Sequence, residues 1–347
     1  MQQASSTSPV HRIARWFALC GLYSVTALAS AALLFLVASI FSPWPGAMLV
    51  RVIFEFGGLR TAALLRPHVP DDVSAIRDVS YDPADPDARL DVYFPSRLGD
   101  GELLPAIVWI HGGAWVSGGR WQMAEYASIL ASGGYAVVVV GYSLAPEATY
   151  PTPLLQVSRA LDFLAAEGTP LHVDNSRLVL AGDSAGAQIS AQIANAVTSP
   201  DYARLIGVDV PPVRLRAVAL FSGAYDLDLV NFGGPMGLLL RSVLWAYTGV
   251  PNFQTDPRFE PASVVRFVTL RFPPTFISAG HEDPLLTHSI HMAEALADAG
   301  VRVERLFFGV DGPTGHNYQF DLDSSQGQQA LSRLLAFMEA VFRPSAG

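Results

Sequence analysis

The sequence predicts an α/β domain with a mostly parallel central sheet flanked by helices. Short runs rich in β-branched residues alternate with helical stretches along most of the chain, which is the pattern of a parallel sheet covered by helices. The chain has 347 residues, 50% of them hydrophobic and 15% charged, so it can bury one large core. We place this domain at residues 76–347.

Each predicted strand is a short apolar run. The first run ends an antiparallel pair that follows the turn-rich residues 82–86, and the later runs are buried parallel strands. The predicted strands cover 91–94, 106–110, 136–140, 177–181, 217–221, 275–279 and 303–307. The connection before the strand at 275–279 is longer than one crossover helix needs, and it predicts a helical cap inserted at about 225–272.

A long apolar segment precedes the domain. Residues 16–41 contain no charged side chain, and as a helix at ~1.5 Å per residue they would extend about 39 Å, more than the ~30 Å of a bilayer core. We predict a single-pass transmembrane anchor here, after an N-terminal tail at 1–15. A cleaved signal peptide with its cleavage site at 27–29 and a docked apolar helix are the alternatives, but further apolar residues follow that site.

Residues 42–75 differ from the apolar segment because they contain charged residues. Arg51, Glu55 and Arg60 interrupt the apolar residues there, which makes a second membrane span improbable. We predict an amphipathic membrane-proximal segment that lies at the interface or forms part of a lid. Arg12 and Arg15 before the anchor favour an exported, periplasmic domain, although arginines also follow the anchor.

Charge and composition exclude several function classes. The net charge of −9 and the pI near 5.3 argue against nucleic acid as a partner. All basic residues are arginine, so lysine-based chemistry (a Schiff base, a P-loop or a Ser-Lys dyad) is excluded. The single cysteine, Cys20, cannot form an intrachain disulfide. We predict no cofactor and no metal.

The candidate nucleophile is Ser184, in the motif Gly182-Asp183-Ser184-Ala185-Gly186. The motif follows the strand at 177–181 and opens a helix with apolar residues at 189, 193, 196 and 197. A serine on such a tight strand-to-helix turn projects its hydroxyl above the sheet, and the glycines permit close backbone packing. The alternative is an ordinary glycine-rich turn between a strand and a helix.

A second glycine-containing loop, His111-Gly112-Gly113-Ala114-Trp115, follows the strand at 106–110. We predict that Gly112, Gly113 and Ala114 line an oxyanion hole together with Ala185. The backbone N–H groups of Gly113, Ala114 and Ala185 are the expected donors. A phosphate-binding loop is the alternative, but it lacks the required lysine. His111 is expected to support the loop, and less readily to act as a base.

A serine nucleophile needs a base, and the base needs a carboxylate to orient it. Asp283 follows the strand at 275–279, and His316 follows the strand at 303–307. One helix, at roughly 287–299, fits between them, and both residues then reach the same edge of the sheet as Ser184. We predict Asp283 as the acid and His316 as the base.

Rival residues exist for both roles. Glu282 and Asp226 compete as the acid. The histidines at 281, 288 and 291 precede the last strand and fit the base position poorly. His288, His291 and Glu294 recur at helical spacing and could hold a metal ion, but a solvated helix face is the expected explanation.

Taken together, these motifs resemble the hormone-sensitive-lipase-like branch of the α/β-hydrolases, the microbial carboxylesterases. The resemblance covers about residues 76–342 and rests on 111–115, 142–147, 182–186, 283–285 and 315–316. It implies the α/β-hydrolase fold and hydrolysis of a small-molecule or lipid ester through an acyl-enzyme. Lipase, amidase or acyl-transfer activity, or an inactive binding module on this fold, are the alternatives.

Three features depart from the family pattern. Ala114 stands where the family usually has a third glycine, and Ser143 replaces its usual arginine, which removes a structural ion pair. The apolar segment 16–41 occupies the place of the N-terminal cap helices in soluble relatives. Substrate preference therefore does not follow from the resemblance.

Overall fold

The central sheet has the order β1-β2-β4-β3-β5-β6-β7-β8 in the computed structural model, which describes residues 9–99, 101–210, 212–310, 312 and 314–343. Within these residues the strands are β1 (Val73–Ser80), β2 (Arg89–Pro95), β3 (Leu104–Ile110), β4 (Ala136–Val140), β5 (Val173–Asp183), β6 (Leu215–Phe221), β7 (Thr275–Ala279) and β8 (Val303–Phe307).

The pairing confirms the predicted sheet. β2 pairs antiparallel with β1 and β4, and every other pair is parallel. The predicted apolar runs all lie within the observed strands. β4 shows why apolar runs predict these strands. Its residues Ala136-Val137-Val138-Val139-Val140 are all buried, because the strand is covered on both faces of the sheet.

Helices cover both faces of the sheet. Among the described residues they are α1 (Pro9–Phe41), α2 (Trp44–Leu65), α3 (Ala124–Ala131), α4 (Thr152–Glu167), α5 (Ala185–Thr198), α6 (Pro200–Ile206), α7 (Gly234–Thr248), α8 (Leu286–Asp298) and α9 (Ser325–Phe342). One core packs α4, α5 and α8 against Val138 and Leu180. The opposite core packs α3 and α9 against Val139 and Trp109. Alternate strand residues therefore belong to opposite cores.

Helix α1 is apolar along the whole predicted anchor. Residues Trp16–Phe41 have a mean hydropathy of 2.2, and none of the most apolar stretch is buried against the rest of the chain. By length and composition this helix could cross a membrane, as an anchor or a signal sequence does. It begins at Pro9, seven positions before the predicted start, and ends at Phe41 as predicted.

Helices α2 and α7 pack together over the loops that follow the parallel strands. Gly46 of α2 lies so close to Ser242 of α7 that a Cβ atom would contact the serine side chain. At the other end of α7, the ring of Tyr247 stacks on Trp115 at a centroid distance of 4.6 Å. The two helices therefore lie over the carboxyl edge of the sheet, where sites in parallel sheets are formed.

Candidate active site

Ser184 occupies a strained turn between β5 and α5. Its backbone has φ 52° and ψ −119°, a conformation that few non-glycine residues adopt. The turn is held by a hydrogen bond from Ser184 N–H to the carbonyl of Phe221 at 2.8 Å. A Cβ atom on Gly186 would collide with the carbonyl oxygens of Ile110 and His111, which is why the motif needs glycine there.

His316 lies between Ser184 and Asp283. Its Nε2 atom is 3.0 Å from Ser184 Oγ, and its Nδ1 atom is 2.9 Å from Asp283 Oδ1. The Asp283 side chain is fully buried, whereas 33% of the His316 side chain is exposed. The structure thus brings the three residues that the sequence analysis chose for the triad into one hydrogen-bonded chain.

The environment of Asp283 keeps its carboxylate ionised. Burial alone would raise its pKa, but the hydrogen bond and the charge of His316, with smaller contributions that include the Leu285 N–H, hold the pKa below its usual range. Leu285 N–H donates to Asp283 Oδ1 at 2.8 Å. An ionised, oriented carboxylate favours the tautomer in which His316 carries its proton on Nδ1, so that Nε2 is free to accept the serine proton.

Two loops position the acid and the histidine. Two hydrogen bonds join the residues after β7 to those before His316. His281 N–H donates to Thr314 Oγ1 at 2.7 Å, and Glu282 N–H donates to the Thr314 carbonyl at 2.9 Å. Gly280 packs directly on the Thr314 backbone, leaving no room for a side chain. These contacts fix the loop of Asp283 and the loop of His316 relative to each other.

The loop after β3 has the backbone of an anion-binding site. Gly113, Ala114 and Trp115 have φ values of 118°, 52° and 59°, so three successive residues adopt left-handed conformations. Within the described part of the chain, the backbone N–H groups of Gly113, Ala114 and Ala185 have no hydrogen-bond acceptor. Successive N–H groups in such a turn can converge on one negative oxygen.

Gly112, which we predicted to line the oxyanion hole, lies in the same loop, but its N–H group is not free to act as a donor. Its N–H group donates to Asp183 Oδ1 at 3.2 Å and is therefore occupied. A Cβ atom at this position would contact the Asp183 carboxylate. The glycine is thus required for close packing of the loop on the nucleophile turn, and the remaining candidate donors are Gly113, Ala114 and Ala185.

Asp183 is a site residue that the sequence analysis missed. Its carboxylate accepts hydrogen bonds from Trp109 Nε1 at 3.0 Å and Asn317 Nδ2 at 3.0 Å, besides the one from Gly112. Burial raises the pKa of Asp183 to about 6, although these hydrogen-bond donors and the nearby charge of His316 act to lower it. The carboxylate joins the oxyanion loop, the nucleophile turn and the histidine loop. The available signal was a charged residue at the end of an apolar strand.

His111 packs within the loop after β3 that carries the candidate oxyanion donors. Its Nδ1 atom is 2.8 Å from the Gly112 carbonyl, so Nδ1 carries the proton, and its ring stacks on Tyr142 at 4.3 Å. Burial lowers its pKa to about 4, which keeps the imidazole neutral. In the structure Ser184 Oγ is hydrogen-bonded to His316 rather than to His111.

The rival acids and histidines lie apart from the triad. Glu282 is exposed, and Asp226 Oδ2 lies 3.0 Å from His291 Nδ1 instead of near His316. We predicted that His288, His291 and Glu294 lie on a solvated face of α8. For His288 this prediction is wrong: its side chain is buried, because the start of α8 packs on the loop after β6. Burial lowers the pKa of His288. In the described ranges no group of three side chains suits a metal ion.

Position 143 and the region around it show a changed polar network. Ser143 Oγ donates to Asp87 Oδ2 at 2.8 Å, so the small side chain takes part in a hydrogen-bond network where the family pattern has arginine. Glu147 instead pairs with Arg51 of α2, whose NH1 and NH2 atoms lie 2.7 and 2.6 Å from its two carboxylate oxygens. No local sequence pattern predicts this pair.

Comparisons with known proteins agree with this architecture. A family model described as α/β-hydrolase fold matches residues 107–309. The chain is 34% identical to carboxylesterase NlhH of Mycobacterium tuberculosis over 66% of this chain and 70% of NlhH. It is 27% identical to esterase LipQ of the same organism over 70% of this chain and 58% of LipQ, so it spans less than two thirds of that relative.

Among solved structures, esterase B from Lactobacillus Rhamnosis superimposes with a TM-score of 0.75. The match covers 86% of this chain and 96% of esterase B at 23% identity, a level that shows the shared fold alone. The fold and the family that the motifs implied are thereby confirmed. This chain belongs to the α/β-hydrolase fold family and is a hydrolase of the carboxylesterase type.

Proposed function

We propose that this protein is a membrane-anchored serine esterase that hydrolyses carboxylic esters through an acyl-enzyme. The observation that carries the proposal is the hydrogen-bonded chain from Ser184 Oγ through His316 to Asp283, with distances of 3.0 and 2.9 Å. The carboxylesterases and esterases among its relatives support the same reaction class.

In the proposed reaction, Ser184 Oγ attacks the ester carbonyl carbon while His316 Nε2 accepts the hydroxyl proton. The oxyanion that forms on the carbonyl oxygen accepts hydrogen bonds from the N–H groups of Gly113, Ala114 and Ala185. When the intermediate collapses, the C–O bond breaks and His316 returns its proton to the departing alcohol. Water then attacks the acyl-enzyme by the same route and releases the acid.

Every step of this reaction is served by side chains and backbone groups, so it requires neither a metal nor an organic cofactor. Asp283 keeps the histidine in the productive tautomer and stabilises the imidazolium that forms at each step. Asp183 fixes the oxyanion loop relative to the nucleophile through its contact with Gly112. We assign Asp183 a positioning role, because its buried carboxylate is bonded to three protein donors, Trp109, Gly112 and Asn317.

The membrane attachment in this proposal rests on α1. Residues 16–41 carry no charge, none of their most apolar stretch is buried against the rest of the described chain, and a bilayer would cover this apolar surface. The proposed organisation is a tail at 1–15, an anchor at 16–41, a membrane-proximal cap segment at 42–75 and the catalytic domain at 76–347, with the cap insertion at about 225–272. We propose that the catalytic domain lies on the exported side.

Fluorophosphonate labelling tests the nucleophile. We expect the protein to be labelled and Ser184→Ala to remain unlabelled. Ser190→Ala is the matched control, since Ser190 is also buried on α5 but bonds only to the Ala181 carbonyl. A wild-type protein that resists the probe would overturn the proposal.

The acid is tested separately with two substitutions of similar size. Asp283→Asn should lower kcat for p-nitrophenyl acetate by roughly 10⁴-fold, because the amide stabilises the wrong histidine tautomer. Asp226→Asn should leave kcat within about threefold, since Asp226 lies beside His291 instead. The reverse result would transfer the acid role to Asp226.

A further inference from the structure

Helix α2 has an outer surface that is unusual for a helix on a water-soluble domain. Its buried stripe, which includes Ala47, Val50 and Leu65, packs on the hydrolase body. The opposite side is also apolar: Val52, Phe56 and Leu59, at i, i+4 and i+7, are 49%, 68% and 53% exposed. A helix packed on a soluble domain normally presents charged residues on that side.

This outer surface, which we call the α2 face, comprises Trp44, Leu49, Val52, Phe56 and Leu59. The exposed charges on α2 are Glu55 and Arg60. Contiguous apolar surface of this kind is rare on soluble monomers and marks contact with another apolar phase or partner.

The chain itself indicates the occupant. Only Ser42 and Pro43 separate the end of α1 at Phe41 from the start of α2 at Trp44. If α1 crosses the bilayer, its end is fixed at the bilayer surface, and the next helix begins there. Tryptophan is enriched at that depth, because its ring is apolar with one polar N–H group. The α2 face is thus continuous with the membrane-crossing surface of α1.

Helix α2 is also fixed to the candidate active site. Arg51 Nε donates to the Val116 carbonyl at 2.5 Å, and Ser117 Oγ donates to the Arg51 carbonyl at 3.4 Å. Val116 and Ser117 belong to the turn that presents the candidate oxyanion donors, since both their N–H groups bind the Gly113 carbonyl. A bilayer on the α2 face would therefore lie at the same edge of the sheet as Ser184.

We propose that the α2 face is embedded in the lipid interface and that the enzyme takes its substrates from the bilayer. The substrate class is amphiphilic lipid esters, whose acyl chain lies in the membrane and whose ester group lies at its surface. This inference rests on the proposed esterase activity and on the anchor. The occupant of the α2 face in this proposal is lipid. Binding of a second copy of the chain to the same face is the competing outcome of the test.

The first experiment locates the α2 face without using activity. Full-length protein carrying Cys20→Ala, which removes the single cysteine, receives Phe56→Cys and a polarity-sensitive fluorophore and is reconstituted in phosphatidylcholine vesicles. Lipids with a shallow nitroxide should quench this fluorophore strongly. Leu205→Cys is the matched control: Leu205 is 56% exposed on α6, and we expect little quenching there.

Two outcomes of the quenching experiment would overturn the proposal. One is quenching at position 56 no greater than at 205. The other is fluorophore self-quenching at position 56 that disappears as the protein is diluted in lipid, which would assign the face to a second copy. Neither result depends on hydrolysis, so this experiment decides the location even if the esterase proposal fails.

The second experiment measures substrate choice in the same vesicles. A variant with Val52→Gln, Phe56→Gln and Leu59→Gln is compared on water-soluble p-nitrophenyl acetate and on bilayer-dissolved p-nitrophenyl palmitate. We expect acetate hydrolysis within about twofold of wild type and palmitate hydrolysis reduced at least tenfold, because embedding of the face depends on its apolar area. Leu205→Gln with Leu270→Gln, both exposed elsewhere, should change neither rate.

The pattern of rates separates the two proposals. Equal loss on both substrates would mean that the α2 face supports the fold alone, and unchanged palmitate hydrolysis would mean that substrate does not arrive through it; either result overturns the inference. A wild-type protein that hydrolyses neither ester would refute the proposed function while leaving the quenching result to decide where α2 lies.

Discussion

Replacing Arg51 with methionine tests whether α2 positions the candidate oxyanion loop. The guanidinium donates to the carbonyls of Val116 and Ala145 at 2.5 and 2.8 Å, and it pairs with both carboxylate oxygens of Glu147. Methionine has a similar length and fills the same space, but it cannot donate. The substitution therefore removes the hydrogen bonds while keeping much of the packing.

The expected loss of stability follows from the exposure of the partners. Glu147 is 49% exposed, so the ion pair itself is screened and contributes only about 0.5–1 kcal/mol. The bonds from a charged donor to two carbonyls contribute about 1.5 kcal/mol each, at the low end of the range for charged groups. We therefore expect Arg51→Met to destabilise the protein by about 3.5–4 kcal/mol, which corresponds to a Tm lower by roughly 7–14 °C. Since the Val116 contact holds the donor loop, kcat should fall roughly tenfold to hundredfold.

Thermal unfolding by tryptophan fluorescence and kcat on p-nitrophenyl acetate measure the two effects separately. Glu147→Gln is the control, because it removes the ion pair and keeps both carbonyl contacts; its kcat should stay within about threefold of wild type. A hydrogen bond from Arg51 holds the pKa of Glu147 below its usual value. The ion pair therefore stabilises above the unfolded pKa near 4.5 and is lost as the pH falls below it.

One outcome would refute the reasoning about Arg51. If Arg51→Met lowered Tm as expected but kept the wild-type kcat, then α2 would be attached to the loop without positioning its donors. Arg51→Lys refines the result. Lysine keeps the charge but lacks the planar fork, so it should retain part of the stability and little of the loop contact.

The remaining predictions concern the glycines, the strained loop and the buried carboxylate. Gly186→Ala should lower Tm sharply or prevent folding, because its Cβ would meet the Ile110 carbonyl, whereas Gly57→Ala, with open space around it, should stabilise α2 by about 0.5–1 kcal/mol. Ala114→Gly should raise stability by roughly 1 kcal/mol in the same melting assay, since φ is 52° there, and a lowered Tm would contradict this. Asp183 has a pKa raised to about 6, so its ionisation costs stability as the pH rises from about 4 to 6. Asp183→Asn has no ionisable group at this position and should lack this cost. Between pH 4 and pH 7 the free energy of unfolding of the variant, measured by urea titration, should rise by about 3 kcal/mol relative to that of wild type. If the two free energies changed in parallel with pH, the prediction would be wrong.

Local patterns account for what the sequence predicted well. The parallel strands are continuous apolar runs, and each chemical motif lies within a few residues of a strand end. In a parallel sheet those ends share one edge, so predicting the strands also predicted that Ser184, Asp283 and His316 would converge. This convergence follows from the strand ends alone and does not depend on side-chain packing, so it can be predicted for residues far apart in the chain.

Contacts between distant segments with no local pattern were missed. Arg51 and Glu147 are separated by 96 positions, and nothing in either segment marks the other as its partner. Gly112 was predicted to line the oxyanion hole, but its contact with Asp183 was not predicted, because the direction of its N–H depends on where Asp183 lies. The buried position of His288 depends in the same way on the loop after β6.

The two N-terminal helices have different relations to the enzyme body. None of the most apolar stretch of helix α1 is buried against the rest of the described chain, and by length and composition this helix could cross a membrane. Helix α2 has a buried stripe and carries Arg51, which bonds to the oxyanion turn. Because the covalent link between them is only Ser42 and Pro43, any force that holds α1 in the bilayer also fixes α2. If α1 lies in the bilayer as we propose, the orientation of the candidate active site relative to the membrane is therefore set by Arg51, the same residue that bonds to the loop of candidate oxyanion donors.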